Sequence, residues 1–234
     1  MYSSTVRGDA CVHDGGMSET LFEVETPRGG VTAAWHDAGP EAPALVVAHG
    51  AGSGMHHPFM VGFCDALAGA GVAALRFNFP YIEAGRRSPG SPKDAIAAFR
   101  AAFEAATDRT DGRPVFAGGK SYGGRISSMA AAEGVPAAGL VFLGYPLHPP
   151  GKPERVRDAH LYGLTQPMLF LQGTKDPFAT PDVLQPVLKK LGKRATYVAF
   201  EGAGHSFERS RKDGPADNAA ALVPHVVAFI REYA

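Results

Sequence analysis

The feature that most constrains the fold is a regular alternation of short, β-rich runs with longer stretches of helical periodicity. The later runs are almost continuously apolar, as strands covered on both faces of a parallel sheet must be. They are Ala44–Ala48, Val72–Phe77, Val115–Ala117, Gly139–Leu143, Met168–Gln172 and Thr196–Phe200. Helices between successive strands allow those strands to run parallel. The alternation therefore predicts an α/β fold with a doubly wound, mostly parallel sheet.

The clearest predicted helix begins at Ser91, which can act as its N-cap. Pro92 suits the first helical position, and Asp94 has the spacing that completes a capping box. The other predicted helices are Pro58–Ala68, Tyr122–Ala132, Pro181–Leu191 and Ala219–Tyr233, the last of them interrupted by Pro224.

Before the first parallel strand, Thr20–Thr26 and Val31–His36 are separated by a turn sequence and predict an antiparallel hairpin at the sheet edge. Residues 1–16 are polar and lack periodicity, so we expect a loose tail there and a single domain over 17–234. The segment between Leu143 and Met168 is too short to hold a large cap domain.

Composition argues against several classes of partner. Lys plus Arg and Asp plus Glu both number 23, so the formal charge of zero predicts no basic face for nucleic acid or an anionic membrane and leaves a local patch as the alternative. The 2 cysteines have no metal-type spacing, and no apolar run has the length of a membrane span or of a signal-peptide core. We expect a cytoplasmic protein that uses a small-molecule substrate and no cofactor.

The motif that points to chemistry follows the strand at Val115–Ala117. Gly119, Ser121 and Gly123 spell G-x-S-x-G ahead of a helical pattern. A serine at such a sharp strand-to-helix turn exposes its hydroxyl, and the glycines relieve crowding on either side. Gly119-Lys120-Ser121 also matches the end of a P-loop, but that motif needs a glycine where Pro114 stands. The sequence therefore favours a nucleophilic Ser121 over nucleotide binding.

A serine nucleophile needs an acid and a histidine after later strands, in that chain order. Asp176 lies on the loop after Met168–Gln172, and His205 follows the last strand in a glycine-rich loop. His205 would take the Ser121 proton and Asp176 would orient its ring. The loop after Ala44–Ala48 supplies a backbone N–H for an oxyanion hole, from Ala51 or alternatively Gly52, next to that of Tyr122.

Two further sets of residues have weaker signals. His49 is expected to buttress the oxyanion loop, and the adjacent His56 and His57 to start a helix or line the pocket rather than bind metal. Tyr145 and His148 are candidate substrate-binding residues. Together with Arg157 they offer polar groups able to orient a small, anionic substrate.

From about Val31 to its end, the chain resembles the α/β-hydrolase superfamily, and within it small dienelactone-hydrolase-like proteins of the KANSL/Tex type. The motifs are His49–Gly52, Arg76–Tyr81, Gly119–Arg125, Gly144–Gly151, Gly173–Asp176 and Gly204–Phe207. The resemblance implies the fold and the triad but no substrate, and dienelactone hydrolase itself uses cysteine where this chain has Ser121.

The residues favour a serine hydrolase of esterase type, acting on a small carboxylic ester, thioester or lactone. The alternative is a non-catalytic scaffold that retains the fold, which would have no need for all three triad residue types in order.

Overall fold

The computed structural model describes residues 7–12 and 19–234. Its strands form one sheet in the order β1-β2-β3-β5-β4-β6-β7-β8-β9. They are β1 (Arg7–Val12), β2 (Glu19–Thr26), β3 (Gly29–His36), β4 (Ala44–Ala48), β5 (Ala73–Phe77), β6 (Val115–Lys120), β7 (Leu140–Leu143), β8 (Met168–Gly173) and β9 (Ala195–Phe200). The six strands from β4 to β9 run parallel, which confirms the predicted doubly wound sheet.

Helices cover both faces of the sheet. They are α1 (Pro58–Gly69), α2 (Pro80–Glu83), α3 (Pro92–Thr110), α4 (Tyr122–Ala132), α5 (Pro181–Leu191), α6 (Pro215–Ala220) and α7 (Val223–Tyr233), with 3-10 helices at Ala159–Gly163 and Gly192–Arg194. The apolar faces of α1, α6 and α7 form one core cluster with the sheet, and those of α3, α4 and α5 form the other. Burial on both faces explains why strands such as β4 are apolar throughout.

The antiparallel edge differs from the prediction in one respect. The β2–β3 hairpin is present, with Val24 paired to Val31. Beyond it, Arg7–Val12 pairs with β2, so the prediction of a loose tail is wrong for residues 7–12. Backbone hydrogen bonds to an open strand edge need no apolar periodicity, which is why the sequence did not reveal this strand. Residues 1–6 and 13–16 of that tail lie outside the described residues.

Two predictions at helix ends also need correction. The Ser91 side chain caps α3 by accepting from the Lys93 N–H, but Asp94 pairs with Arg28 Nε at 3.0 Å instead of completing a capping box. The predicted last helix is divided into two, α6 and α7, because the helical conformation is interrupted between them. Pro224 lies in the first turn of α7. Proline is tolerated there because the first N–H groups of a helix have no intrahelical partner.

The loops after β4, β6, β8 and β9 all lie at the carboxyl edge of the parallel strands. The connection from β7 to β8 holds only a 3-10 helix at Ala159–Gly163, so within residues 19–234 no cap domain covers this edge. None of the helices in the described part of the chain combines the length and apolar character that crossing a membrane would require.

Candidate active site

Ser121 occupies a strained turn between β6 and α4. Its backbone has φ 52° and ψ −116°, a region that non-glycine residues seldom adopt. The flanking glycines are required because there is no room for a side chain at either position. A Cβ on Gly119 would lie 2.4 Å from the Gly123 carbonyl carbon, and a Cβ on Gly123 would lie 2.1 Å from the Ala48 oxygen. The turn therefore presents the Ser121 hydroxyl at the start of a helix, as the motif predicts.

The structure brings together the three side chains that the sequence singled out. Ser121 Oγ lies 2.7 Å from His205 Nε2, and His205 Nδ1 lies 2.7 Å from Asp176 Oδ2. With Nδ1 protonated and donating to the carboxylate, Nε2 is free to accept the Ser121 hydroxyl proton. This relay joins residues that are 29 and 84 positions apart in the chain.

Asp176 is completely buried, and its hydrogen bonds fix its orientation. Its Oδ2 accepts from Gln172 Nε2 as well as from His205, and its Oδ1 accepts from the Phe178 N–H at 2.9 Å. Gln172 is held in turn because its Oε1 accepts from the Tyr145 N–H. The sequence reading missed Gln172, whose signal was a polar residue at the end of an otherwise apolar strand.

The loop after β4 lies beside this relay. A Cβ on Gly50 would be 3.7 Å from Ser121 Cβ, and Ala51 lines the same cavity as Ser121 and Tyr122. The Gly52 N–H already donates to Tyr81 Oη at 3.3 Å, which favours Ala51 as the second oxyanion donor. His49 is buried and accepts from the Phe79 N–H while its Nδ1 contacts the Gly50 oxygen. Burial lowers the pKa of His49 to about 4, so its neutral ring buttresses the loop.

Comparison with known proteins agrees with this architecture. A family model described as an alpha/beta hydrolase domain matches residues 41–232. The chain belongs to the α/β-hydrolase family.

Solved structures show the same fold. A serine hydrolase without a lid from Xanthomonas campestris matches with a TM-score of 0.71 and 20% identity, covering 94% of this chain and 97% of its own. An esterase domain from Rhodothermus marinus matches with a TM-score of 0.70 and 19% identity, covering 93% of this chain and 99% of its own. A dienelactone hydrolase from Anabaena variabilis matches with a TM-score of 0.72 and 19% identity, covering 97% of this chain and 98% of its own.

Lys120 is a buried cation in this α/β-hydrolase that the sequence reading treated only as part of a rejected P-loop. Its Nζ donates to the His205 backbone oxygen at 2.8 Å and lies 5.9 Å from the centre of the Phe59 ring. This hydrogen bond links the loop that carries His205 to the end of β6, directly before Ser121. Burial lowers the pKa of Lys120 to about 8, although Asp176 and Glu208 act in the opposite direction.

This lowered pKa makes stability depend on pH. Between about pH 8 and the ordinary pKa of 10.5, the unfolded chain keeps the Lys120 proton and the folded chain releases it. The unfolded state then binds more protons, so the contribution of Lys120 to the free energy of unfolding rises with pH in that interval. We expect the wild type to gain on the order of 2 kcal/mol relative to Lys120→Met between pH 7.5 and 10.

Urea unfolding of both proteins at the two pH values measures this difference. The same comparison with Lys93→Met, which changes an exposed lysine, controls for general effects of losing a positive charge. Parallel pH dependences of the wild type and Lys120→Met would contradict the assigned ionisation.

A cavity of about 730 Å³ opens above the relay. His148 lines it, as predicted, together with Arg157 and, from α4, Arg125. Contrary to the prediction, Tyr145 does not line this cavity. The Tyr145 ring turns inward against Phe142 and Phe170, and its hydroxyl contacts Ser128.

His57 also lines the cavity, where it caps α1 by accepting from the Phe59 N–H at 3.2 Å. Across residues 19–234, no cluster of three or more His, Cys, Asp or Glu side chains has the arrangement of a metal site. The contact between the Ser121 hydroxyl and His205 Nε2 is an arrangement that suits nucleophilic attack by an activated hydroxyl.

Proposed function

We propose that this chain is a serine hydrolase of esterase type, which cleaves a small carboxylic ester, thioester or lactone through an acyl-enzyme on Ser121. The observation that carries the proposal is the continuous relay from Ser121 Oγ through His205 to the buried Asp176 carboxylate. The hydrolases and esterases among the similar structures support it as analogies of fold.

In the first half-reaction, Ser121 Oγ attacks the acyl carbonyl while His205 Nε2 takes the hydroxyl proton. The carbonyl oxygen becomes an oxyanion beside the N–H groups of Ala51 and Tyr122, the latter at the positive end of α4. His205 then gives the proton to the leaving alcohol or thiol as the acyl–oxygen or acyl–sulfur bond breaks. Asp176 stabilises the imidazolium during this step.

In the second half-reaction, water replaces the leaving group. His205 removes a proton from the water as it attacks the acyl carbon, and then returns a proton to Ser121 Oγ as the acyl–enzyme bond breaks. The products are a carboxylic acid and the regenerated hydroxyl. A lactone would open by the same two steps to a hydroxy acid.

Trapping the intermediate tests this proposal. After acid quenching of a rapid reaction with 4-nitrophenyl acetate, we expect the peptide containing Ser121 to carry one acetyl group. Turnover without acylation of Ser121 would contradict the covalent route. Absence of turnover across acetyl, butyryl, octanoyl and palmitoyl esters would instead support the non-catalytic scaffold.

The open site predicts a preference for short acyl groups. Because no cap domain covers the carboxyl edge, a long acyl chain would leave much of its length in water. Each buried CH₂ would otherwise contribute about 0.8 kcal/mol, so a deep tunnel would produce a steep rise with chain length. We expect kcat/KM for 4-nitrophenyl acetate and butyrate to exceed that for the palmitate. Efficiency that rises steadily toward palmitate would contradict the prediction and indicate an apolar groove.

A further inference from the structure

Two arginines line the cavity beside the relay without charge partners. Among the hydrogen bonds and ion pairs of the described residues, none involves the side chain of Arg125 or Arg157, and Arg125 Nε is buried without a partner. The two arginines thus line the cavity without an acceptor from the described side chains, an arrangement that suits an anionic group entering from solvent.

Both arginines line the same cavity as Ser121 and His205. Arg125 follows Ser121 by one helical turn, and its N–H donates to the Ser121 oxygen at 3.1 Å. The backbone of Arg157 is held in the β7–β8 connection, where its N–H donates to the Leu147 oxygen at 2.7 Å. The two guanidinium groups are close enough that Arg125 lowers the pKa of Arg157, after the larger effect of partial burial.

The acidic side chains of the cavity are already engaged elsewhere. Glu208 Oε2 accepts from the Ser206 N–H at 2.8 Å. Asp213 accepts from the N–H groups of Arg209 and Ser210 and from the Ser210 hydroxyl. Both belong to the loop between β9 and α6, whereas the arginines belong to α4 and the β7–β8 connection. The cavity therefore has a cationic side that its own carboxylates do not neutralise.

We propose that Arg125 and Arg157 form a subsite for a carboxylate group of the substrate, so that this site acts on a small ester, thioester or lactone bearing a negative charge. The inference rests on the proposed function and narrows its substrate class. A planar guanidinium matches a carboxylate through two parallel hydrogen bonds, and one anion between two cations also relieves their repulsion.

Matched pairs of charged and neutral esters test the subsite. The acyl-side pair is mono-4-nitrophenyl adipate and 4-nitrophenyl hexanoate, and the leaving-group pair is 4-acetoxybenzoate and 4-methylphenyl acetate. We expect the charged member of at least one pair to have roughly 10- to 100-fold higher kcat/KM, as a charge-assisted hydrogen bond provides. The pair that shows the preference identifies which half of the substrate carries the charge.

The arginine variants decide whether the subsite causes the preference. Arg125→Gln should bring the charged-to-neutral ratio close to one. Arg157→Gln should lower it by about 3- to 10-fold, because Arg157 is more exposed to solvent screening. Arg155→Gln removes the same charge from the same loop outside the cavity and should keep the wild-type ratio. A wild-type ratio near one in both pairs, or an unchanged ratio in both Arg125→Gln and Arg157→Gln, would overturn the proposal.

Binding without turnover separates this proposal from the hydrolase proposal. Calorimetric titration of Ser121→Ala with monoethyl adipate should show binding that Ser121→Ala/Arg125→Gln loses by about 10-fold or more. If that result holds while the wild type hydrolyses no ester, the subsite stands and the hydrolase proposal fails. If neutral esters are hydrolysed but monoethyl adipate binds equally to both proteins, the subsite fails and the hydrolase proposal stands.

Discussion

Ser121→Ala should lower kcat for 4-nitrophenyl acetate by on the order of 10⁶, the loss that accompanies removal of a triad nucleophile. The Ser121 hydroxyl lies 2.7 Å from His205 Nε2 at the end of a relay, and the remaining donors cannot replace a covalent attack. Stability should change little, because alanine keeps the Cβ and the backbone turn. Initial rates of hydrolysis at saturating substrate measure the effect on kcat, and thermal unfolding measures the effect on stability.

Ser127→Ala is the matched control for this variant. Ser127 lies on α4, directly after the Ser121 turn, is buried, and donates its hydroxyl proton to the Gly124 oxygen away from the cavity. We expect it to retain most of the activity while losing some stability. Wild-type rates of hydrolysis in Ser121→Ala would show that another group is the nucleophile.

Asp176→Asn should lower kcat by about 10⁴. The amide can turn an N–H group toward His205 Nδ1, which then becomes an acceptor and leaves the proton on Nε2. In that tautomer the ring cannot accept the Ser121 proton. The buried position and the fixed contacts with Gln172 and Phe178 leave the side chain no water-exposed alternative.

Asp182→Asn is the corresponding control, since Asp182 is the nearest other acid after β8. It lies exposed in the first turn of α5, where a carboxylate interacts favourably with the helix dipole. We expect near-normal activity and at most a small loss of stability. A severe loss of activity in Asp182→Asn together with a mild one in Asp176→Asn would reverse the assignment of the acid.

The parts of the fold that could be predicted are those encoded over short stretches of chain. The turn from β6 through Ser121 into α4 follows from the Gly119 and Gly123 spacing, since the clash that it avoids is local. The bounds of β4, α4 and α5 agree with the predictions for the same reason, because apolar runs and prolines mark their ends.

What the sequence left open depends on contacts between distant residues. The pairing of β1 with β2 is formed by backbone atoms, which carry no residue signature. The residue type of Tyr145 suits a pocket, yet the packing of Phe142 and Phe170 turns its ring into the core.

The residues of the candidate site likewise fall into those that the sequence predicts and those that only the folded structure identifies. Ser121, Asp176 and His205 follow from motif and chain order, whereas Gln172 and Lys120 take their roles from partners that only the folded chain brings near. The Lys120 ammonium donates a hydrogen bond to the His205 oxygen, although the two residues are 85 positions apart in the chain. The lack of a hydrogen-bond partner for Arg125 Nε is likewise a consequence of packing, which the sequence alone does not show.

Labelling with a fluorophosphonate probe tests the central claim most directly, because the probe reacts with an activated serine and needs no knowledge of the substrate. After digestion, mass spectrometry of the wild-type protein should place a single adduct on Ser121. The adduct should be absent from Ser121→Ala and strongly reduced in a His205→Ala variant. A folded wild-type protein that takes up no probe, or takes it up at another serine, would contradict the account of Ser121 as a nucleophile activated by His205.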